Sequence, residues 1–235
     1  MSTTAALVGA TGGAGVTRLT VEFAAAMARD GREVAILDAA FATQGLAGYL
    51  QGRIDPDVTA LATEERSLAE GLVELPVHAS GRVVCCPAYA PFERLARAKT
   101  PEAARQFESF VRDAAVGYDQ VLVDAPPVAA NQALAAVSAT DRTVIVASAT
   151  PRGRDALPRM RDRLDDVGVS DPRVVHNRST DDETADAAVP ESDVTAPANA
   201  PVADDGDGAF TEAVVEAVDA TLDVSLDVEL EDGLL

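Results

Sequence analysis

The segment Leu7-Val8-Gly9-Ala10-Thr11-Gly12-Gly13-Ala14-Gly15-Val16-Thr17-Arg18 concentrates the chain's most legible chemistry. An apolar run leads into it and a helical pattern leads out. Glycines at such a junction let the backbone turn tightly and aim successive N–H groups at phosphate oxygens, while the following helix N-terminus adds partial positive charge. No lysine stands in this loop, and Lys99 is the only lysine of the chain. The loop therefore reads as a phosphate cradle in shape, without the charge that usually accompanies one. The bland alternative is a glycine-rich turn that binds nothing, and the strand-loop-helix context weighs against it.

Two families share this pattern. Gly9, Gly12 and Gly15 fit the Gly-x-x-Gly-x-x-Gly spacing of short-chain dehydrogenase-like Rossmann proteins, and Asp38 stands where a ribose-binding acid belongs. Such reductases need a Tyr with a Lys four residues on, whereas Tyr49, Tyr89 and Tyr118 are followed at that distance by Arg53, Glu93 and Leu122. An NAD(P)-binding sensor is what this alternative leaves. The second pattern extends along more of the chain. Gly12, Gly13, Gly15 and Thr17 align with the deviant Walker A loop of the ParA/MinD ATPases, Lys-Gly-Gly-x-Gly-Lys-Thr-Thr. Val34-Ala35-Ile36-Leu37-Asp38-Ala39-Ala40 resembles that family's strand ending in Asp-x-Asp, with Gln44-Gly45-Leu46 following. Tyr118 to Pro127, with Asp124-Ala125-Pro126, resembles its Walker B strand. A strand ending at Ala147 to Pro151, then His176-Asn177-Arg178 and Val189-Pro190-Glu191-Ser192-Asp193, resemble its later motifs in the same order. Motif context outweighs a lone glycine pattern, and the ParA/MinD resemblance is the favoured reading.

Carried over by position, this resemblance implies a set of roles. Gly12, Gly13, Ala14, Gly15, Val16 and Thr17, with Arg18 adjoining, would wrap the phosphates of ATP or ADP. The Thr17 hydroxyl would reach Mg²⁺, and Asp38 and Asp124 would hold the metal through its waters, since Mg²⁺ keeps part of its hydration shell. Asn177 would contact adenine, and the Pro190-Glu191 turn would close over the base. Strand-end acids that merely face solvent are the plainer reading of Asp38 and Asp124.

Three departures bear on mechanism. Phosphoryl transfer depends on positive charge set against the transferring group. The family's two loop lysines are replaced by Thr11 and Val16, and the second acid of its Asp-x-Asp by Ala40. Arg18 lies one residue past Thr17, a turn of about 100° around the helix, and points away from the phosphates. Lys99 precedes the helix that starts at Thr100-Pro101-Glu102. A pseudo-ATPase is therefore expected, with MgATP or MgADP bound weakly or not at all and no catalytic residue assigned. A slow Mg-ATPase that draws its missing charge from Arg18 or a partner is the alternative within the family.

These residues need elements to hold them. Strand-length apolar runs recur at Ala5 to Val8, Glu33 to Leu37, Arg82 to Cys86, Gln120 to Val123, Thr143 to Ala147 and Arg173 to Val175. Helical spacing separates most of them, as in Leu19, Phe23 and Met27, or Phe107, Phe110, Val111 and Ala114. Alternating strands and helices predict an α/β protein with a doubly wound, mostly parallel sheet and ligands at the carboxyl ends of its strands. One domain over residues 1–235 is expected. Within it, Arg53 to Val77 reads as a connector with an amphipathic helix over Ser67 to Leu75. Residues 179–208 read as an acidic, Pro/Ala-rich loop, Phe210, Val214, Val218 and Leu222 as a closing helix, and 224–235 as an acidic tail.

Composition narrows the partners. With 4% aromatic residues and no Trp, the core must come from Ala, Val and Leu, as it does in buried parallel sheets. A net charge of -20 repels nucleic acid and anionic lipid, so neither direct nucleic-acid binding nor membrane insertion is expected. The acidic, lysine-poor balance resembles that of proteins from salt-accumulating microbes. Arg152, Arg154, Arg159, Arg161 and Arg163 are interleaved with aspartates and read as a solvated helix face. A protein partner, with a homodimer as one form of it, and a cytoplasmic location complete the expectations. Cys85 and Cys86, adjacent on a strand, should point to opposite faces and remain unbridged.

Overall fold

The computed structural model describes residues 2–180 and 183–228, so residues 181–182 of the expected loop over 179–208 and the part of the expected tail beyond residue 228 lie outside the described residues. Buried β-branched and small apolar runs give the strands β1 (Thr3–Gly9), β2 (Glu33–Asp38), β4 (Arg82–Cys86), β5 (Gln120–Ala125), β6 (Arg142–Ser148) and β7 (Arg173–Asn177). Two short strands, β3 (Val73–Leu75) and β8 (Ala187–Val189), complete one sheet in the order β3-β4-β2-β5-β1-β6-β7-β8. All neighbours run parallel except β3, which pairs antiparallel with β4.

This order decides between the two glycine-loop readings. In the dinucleotide-binding arrangement the second strand lies directly beside the first. Here β5 lies between β1 and β2, and β6 flanks β1 on its other side. Asp38 consequently faces Asp124 across the β2–β5 pair and does not border the glycine loop's own strand. The dinucleotide alternative fails on topology.

Helices cover both faces. On one side α1 (Val16–Arg29) and α7 (Ala209–Leu222) bury Leu19, Phe23, Met27, Val214, Val218 and Leu222 against the sheet. On the other lie α2 (Val58–Glu64), α3 (Phe92–Ala98), α4 (Pro101–Gly117), α5 (Asn131–Ser138) and α6 (Pro151–Asp166). Phe107 and Phe110 of α4 and Leu157, Met160 and Leu164 of α6 pack there. Strand side chains alternate between the layers, so Cys85 belongs to the α1/α7 layer and Cys86 to the opposite one, both as free thiols. No helix among the described residues is long and apolar enough to cross a membrane.

The connector differs from expectation. The helix there starts earlier, at Val58, because the Asp57 side chain accepts from the Thr59 and Ala60 N–H groups and so acts as N-cap. Asp55-Pro56-Asp57 is thus a helix-start signal. Within Ser67 to Leu75 only Leu68–Gly71 is helical, as a single 3-10 turn, and Val73–Leu75 alternates into the edge strand.

Residues 179–208 are also more structured than expected. They contain β8 and the 3-10 turn Pro197–Asn199, and three residues of α1 strap the later part down. Arg18 donates to the Val194 carbonyl at 2.7 Å and the Ser192 hydroxyl at 3.3 Å. Glu22, fully buried, accepts from Arg18 Nε at 2.6 Å and from the N–H groups of Val202 and Ala203, both at 2.9 Å. Arg29 donates to the Gly206 carbonyl at 2.6 Å and to Asp207 at 2.9 Å. After α7 the chain has no regular secondary structure through residue 228, with Val224 and Leu226 packed on the α1/α7 layer.

Removing one partner of a buried charged network leaves the other groups unpaired, at a cost of roughly 3–5 kcal/mol. Glu22→Ala should therefore lower the free energy of unfolding in urea by about 3 kcal/mol or more. A loss below about 1 kcal/mol would mean that the strap does not depend on Glu22.

Candidate functional site

The glycine loop leaves β1 at Gly9 and enters α1 at Val16. Gly13 and Gly15 sit at φ values of +79° and +91°, the left-handed region that favours glycine. Nothing approaches the space where a side chain on Gly12 or Gly13 would stand, so this arc of the loop is open. Gly15 is the N-cap of α1, and a side chain there would collide with Asn177 Nδ2 at 2.1 Å. The loop thus joins the carboxyl end of β1 to the N-terminus of α1, with its Gly12-Gly13 arc uncovered. This geometry suits a phosphate.

Asp38 and Asp124 end adjacent strands at the same register. Both are buried, at 0% and 1% exposure. Asp38 accepts from the Ala40 N–H at 2.7 Å and, through its other oxygen, from the Ala88 N–H at 3.1 Å. Asp124 Oδ2 is buried with no hydrogen-bond partner. Burial raises the Asp38 carboxyl well above the usual carboxylate range, and the neighbouring Asp124 charge adds to this. Burial also lifts Asp124 to about 6, against an opposing pull from the Thr17 hydroxyl. Two buried carboxylates on paired strand positions, one with an oxygen that nothing satisfies, form an electrostatic arrangement that a cation would complete.

Mg²⁺ fits that arrangement. It takes oxygen ligands, commonly one or two carboxylates with waters and substrate phosphates. Thr17, Asp38 and Asp124 supply such oxygens, and the loop beside them would supply the phosphate position. The turn after β2 closes this corner: a side chain on Gly45 would lie 3.1 Å from Thr17 Oγ1. The small residue there is what lets the Gln44-Gly45-Leu46 segment approach.

The residues expected beside the base also come together. Asn177 ends β7 opposite Val189 of β8, which places Pro190 and Glu191 just beyond it. Asn177 Nδ2 donates to the Ala14 carbonyl at 2.8 Å, and its Oδ1 accepts from the Arg178 N–H at 3.0 Å. With Arg18, Tyr49, Arg178 and Phe210 these residues line a cleft of about 180 Å³ against the start of α1. Arg18 contributes to its wall, and its guanidinium is fully engaged by Glu22, Ser192 and Val194 above the Phe210 ring. Lys99 stands at the end of α3, and its carbonyl accepts from Asn131 Nδ2 at the start of α5. Thr11 and Val16 bring no charge to the loop.

Sequence reasoning did not single out Glu22 or Ala88, and it named Arg178 only as part of the motif around Asn177, with no role of its own. Glu22 had one available signal, an acid on the same helix face as Leu19, Phe23 and Met27. The Ala88 contact arises from a backbone N–H and leaves no trace in residue type.

No family model matches the sequence, and no curated protein matches it. Among solved structures, the cell division ATPase MinD of Pyrococcus furiosus superposes with a TM-score of 0.80 at 17% identity, covering 94% of this chain and 98% of that one. The septum site-determining protein MinD of Pyrococcus horikoshii, complexed with Mg-ADP, gives 0.78 at 17% identity over 92% and 94%. MinD in the MinC:MinD cell division complex of Aquifex aeolicus gives 0.76 at 20% identity over 97% and 98%. The fold is that of the MinD-type P-loop proteins, as the ordered motifs led one to expect.

A carboxyl whose folded-state pKa is raised binds more protons folded than unfolded between its two pKa values, so its contribution to stability falls as pH rises through that window. For Asp124 the window runs from the usual carboxylate range to about 6. The thermal midpoint of the protein without added metal should decline from pH 5 to pH 7. Asp124→Asn should flatten that decline and gain on the order of 2 kcal/mol relative to wild type at pH 7. Identical pH slopes for the two proteins would contradict the assignment.

Proposed function

We propose that this chain is a MinD-type nucleotide-binding protein that holds an adenine nucleotide with Mg²⁺ weakly, does not turn it over, and acts by contact with other proteins. The observation that carries this reading is the contrast within one site. The Asp38–Asp124 pair, the unsatisfied Asp124 oxygen and the open glycine loop retain the means of holding a metal and a phosphate. The positions that would stabilise charge during phosphoryl transfer hold Thr11, Val16 and Ala40. Binding needs the cradle and the metal, whereas hydrolysis also needs cations on the transferring group and an acid to place the water.

In this reading the residues divide the work. N–H groups from Gly12 to Thr17 cradle the phosphates, and Thr17, Asp38 and Asp124 hold Mg²⁺, which supplies charge neutralisation when bound. Asn177, Pro190, Glu191 and Arg18 form the base-side wall. Ala40 cannot orient a water. The superposition on MinD proteins, one of them in complex with MinC, supports a regulatory or scaffolding role in cellular positioning, exercised on a protein partner or through self-association. The acidic surface disfavours naked DNA or anionic lipid as the direct target, and the cytoplasm is the setting proposed.

Hydrolysis assays at high salt test the proposal. Purified protein should release no phosphate from MgATP above background. Turnover that Asp124→Ala abolishes would refute it in favour of a slow ATPase. Combining Thr11→Lys, Val16→Lys and Ala40→Asp should raise phosphate release by about tenfold or more, since each change returns a group that acts on the transition state.

A further inference from the structure

Arg178 holds an unusual backbone position. Its φ is +59°, a left-handed conformation that costs a residue with a Cβ roughly 1–2 kcal/mol and that glycine adopts freely. Two hydrogen bonds fix the local backbone: Arg178 N–H donates to Asn177 Oδ1 at 3.0 Å, and Ser179 N–H to the Val189 carbonyl at 3.0 Å. Asn177 is itself pinned to the glycine loop through Ala14. The result brings the Arg178 side chain back over the loop. Its Nη2 lies 3.8 Å from where a Cβ on Gly15 would stand, at the N-cap of α1. The guanidinium has no hydrogen-bond or ion-pair partner among the described residues, in a chain with 39 acidic groups to 19 basic ones. Every other cation considered for the site is engaged elsewhere or absent from the loop: Arg18 is tied to Glu22, Ser192 and Val194, and Thr11 and Val16 are uncharged.

We infer that Arg178 is a phosphate-binding residue, and that it replaces the missing loop lysines from a different direction. This rests on the nucleotide-binding reading above and adds where the charge acts. Arg178 stands at the Gly15 end of the loop and lines the cleft shared with Asn177, Pro190 and Glu191, on the nucleoside side. Thr11 and the open Gly12-Gly13 arc lie at the other end of the loop. A guanidinium there pairs with the phosphates nearest the nucleoside and gains little from a terminal phosphate beyond them. The ligand class is therefore a nucleoside phosphate bound with small preference between di- and triphosphate. Strain of this kind is retained where the surrounding structure enforces it, and functional sites are where it collects.

Titration calorimetry of the full chain with ATP, ADP and adenosine, each with Mg²⁺, tests this together with thermal unfolding. Wild type should bind ATP and ADP within about threefold of each other. Arg178→Ala should weaken both by about tenfold and leave adenosine unchanged, as expected for the loss of one charge-assisted contact. Arg178→Gly should weaken both to the same degree while raising the thermal midpoint by about 2–4 °C, since glycine relaxes the left-handed backbone. That opposite movement separates a binding role from a structural one. If wild type binds ATP and ADP and the variants bind them equally well, or if ATP binds more than tenfold tighter than ADP, the assignment of Arg178 falls and the nucleotide reading stands. If wild type binds neither nucleotide, both fall.

Discussion

Burial of Asp38 beside Asp124 is the constraint around which this end of the molecule is arranged. Two carboxylates that close, away from water, repel each other and resist ionisation, and the fold provides only partial relief. Ala40 and Ala88 satisfy one acid through the backbone, while the other retains an oxygen without a partner. Because the two acids end neighbouring strands in register, the strand order that puts β5 between β1 and β2 makes their meeting unavoidable. A divalent cation would relieve the conflict, and on the proposed reading the glycine loop gains meaning from the acids and not from its own composition.

A second arrangement keeps the opposite wall in place. Helix α1 begins at the loop and carries Arg18, Glu22 and Arg29 along one side, where they tie residues 192 to 207 to the helix. The segment that follows Pro190 and Glu191 is therefore coupled to the element that presents the loop. The equivalent service on the acid side comes from Asp57. It caps α2, accepts from the Tyr89 N–H at 2.9 Å and from Arg94 at 2.6 Å, and so steadies the same turn whose Ala88 N–H faces Asp38. The site is held by polar contacts between loops over a core made largely of Ala, Val and Leu, with few aromatic anchors to do that work.

Much of this was legible in the residues. Long buried strands announce themselves as apolar runs, and the glycine loop, Asp38, Asp124 and Asn177 stood out by type and order. The short edge strands did not, because Val73–Leu75 and Ala187–Val189 carry too few residues for a period to emerge. The helix expected over Ser67 to Leu75 was misplaced for a related reason: its apolar positions fit two periods, and the Asp57 cap fixes a helix further upstream. Residues 179–208 looked unstructured because polar composition conceals backbone pairing with a partner far away in sequence, here the buried Glu22. Arg178 was visible as a residue but its backbone angle was not, since tertiary hydrogen bonds set it.

The paired cysteines have a consequence of a different sort. Cys85 and Cys86 are consecutive, yet each thiol is sealed beneath a different helical layer. A thiol reagent that meets them in partial denaturant therefore reports on two separate events, the lifting of α1 for Cys85 and the lifting of the opposite helices for Cys86. The chain carries its own pair of labels for asking whether its two coats are shed together or one after the other, without the introduction of any foreign probe.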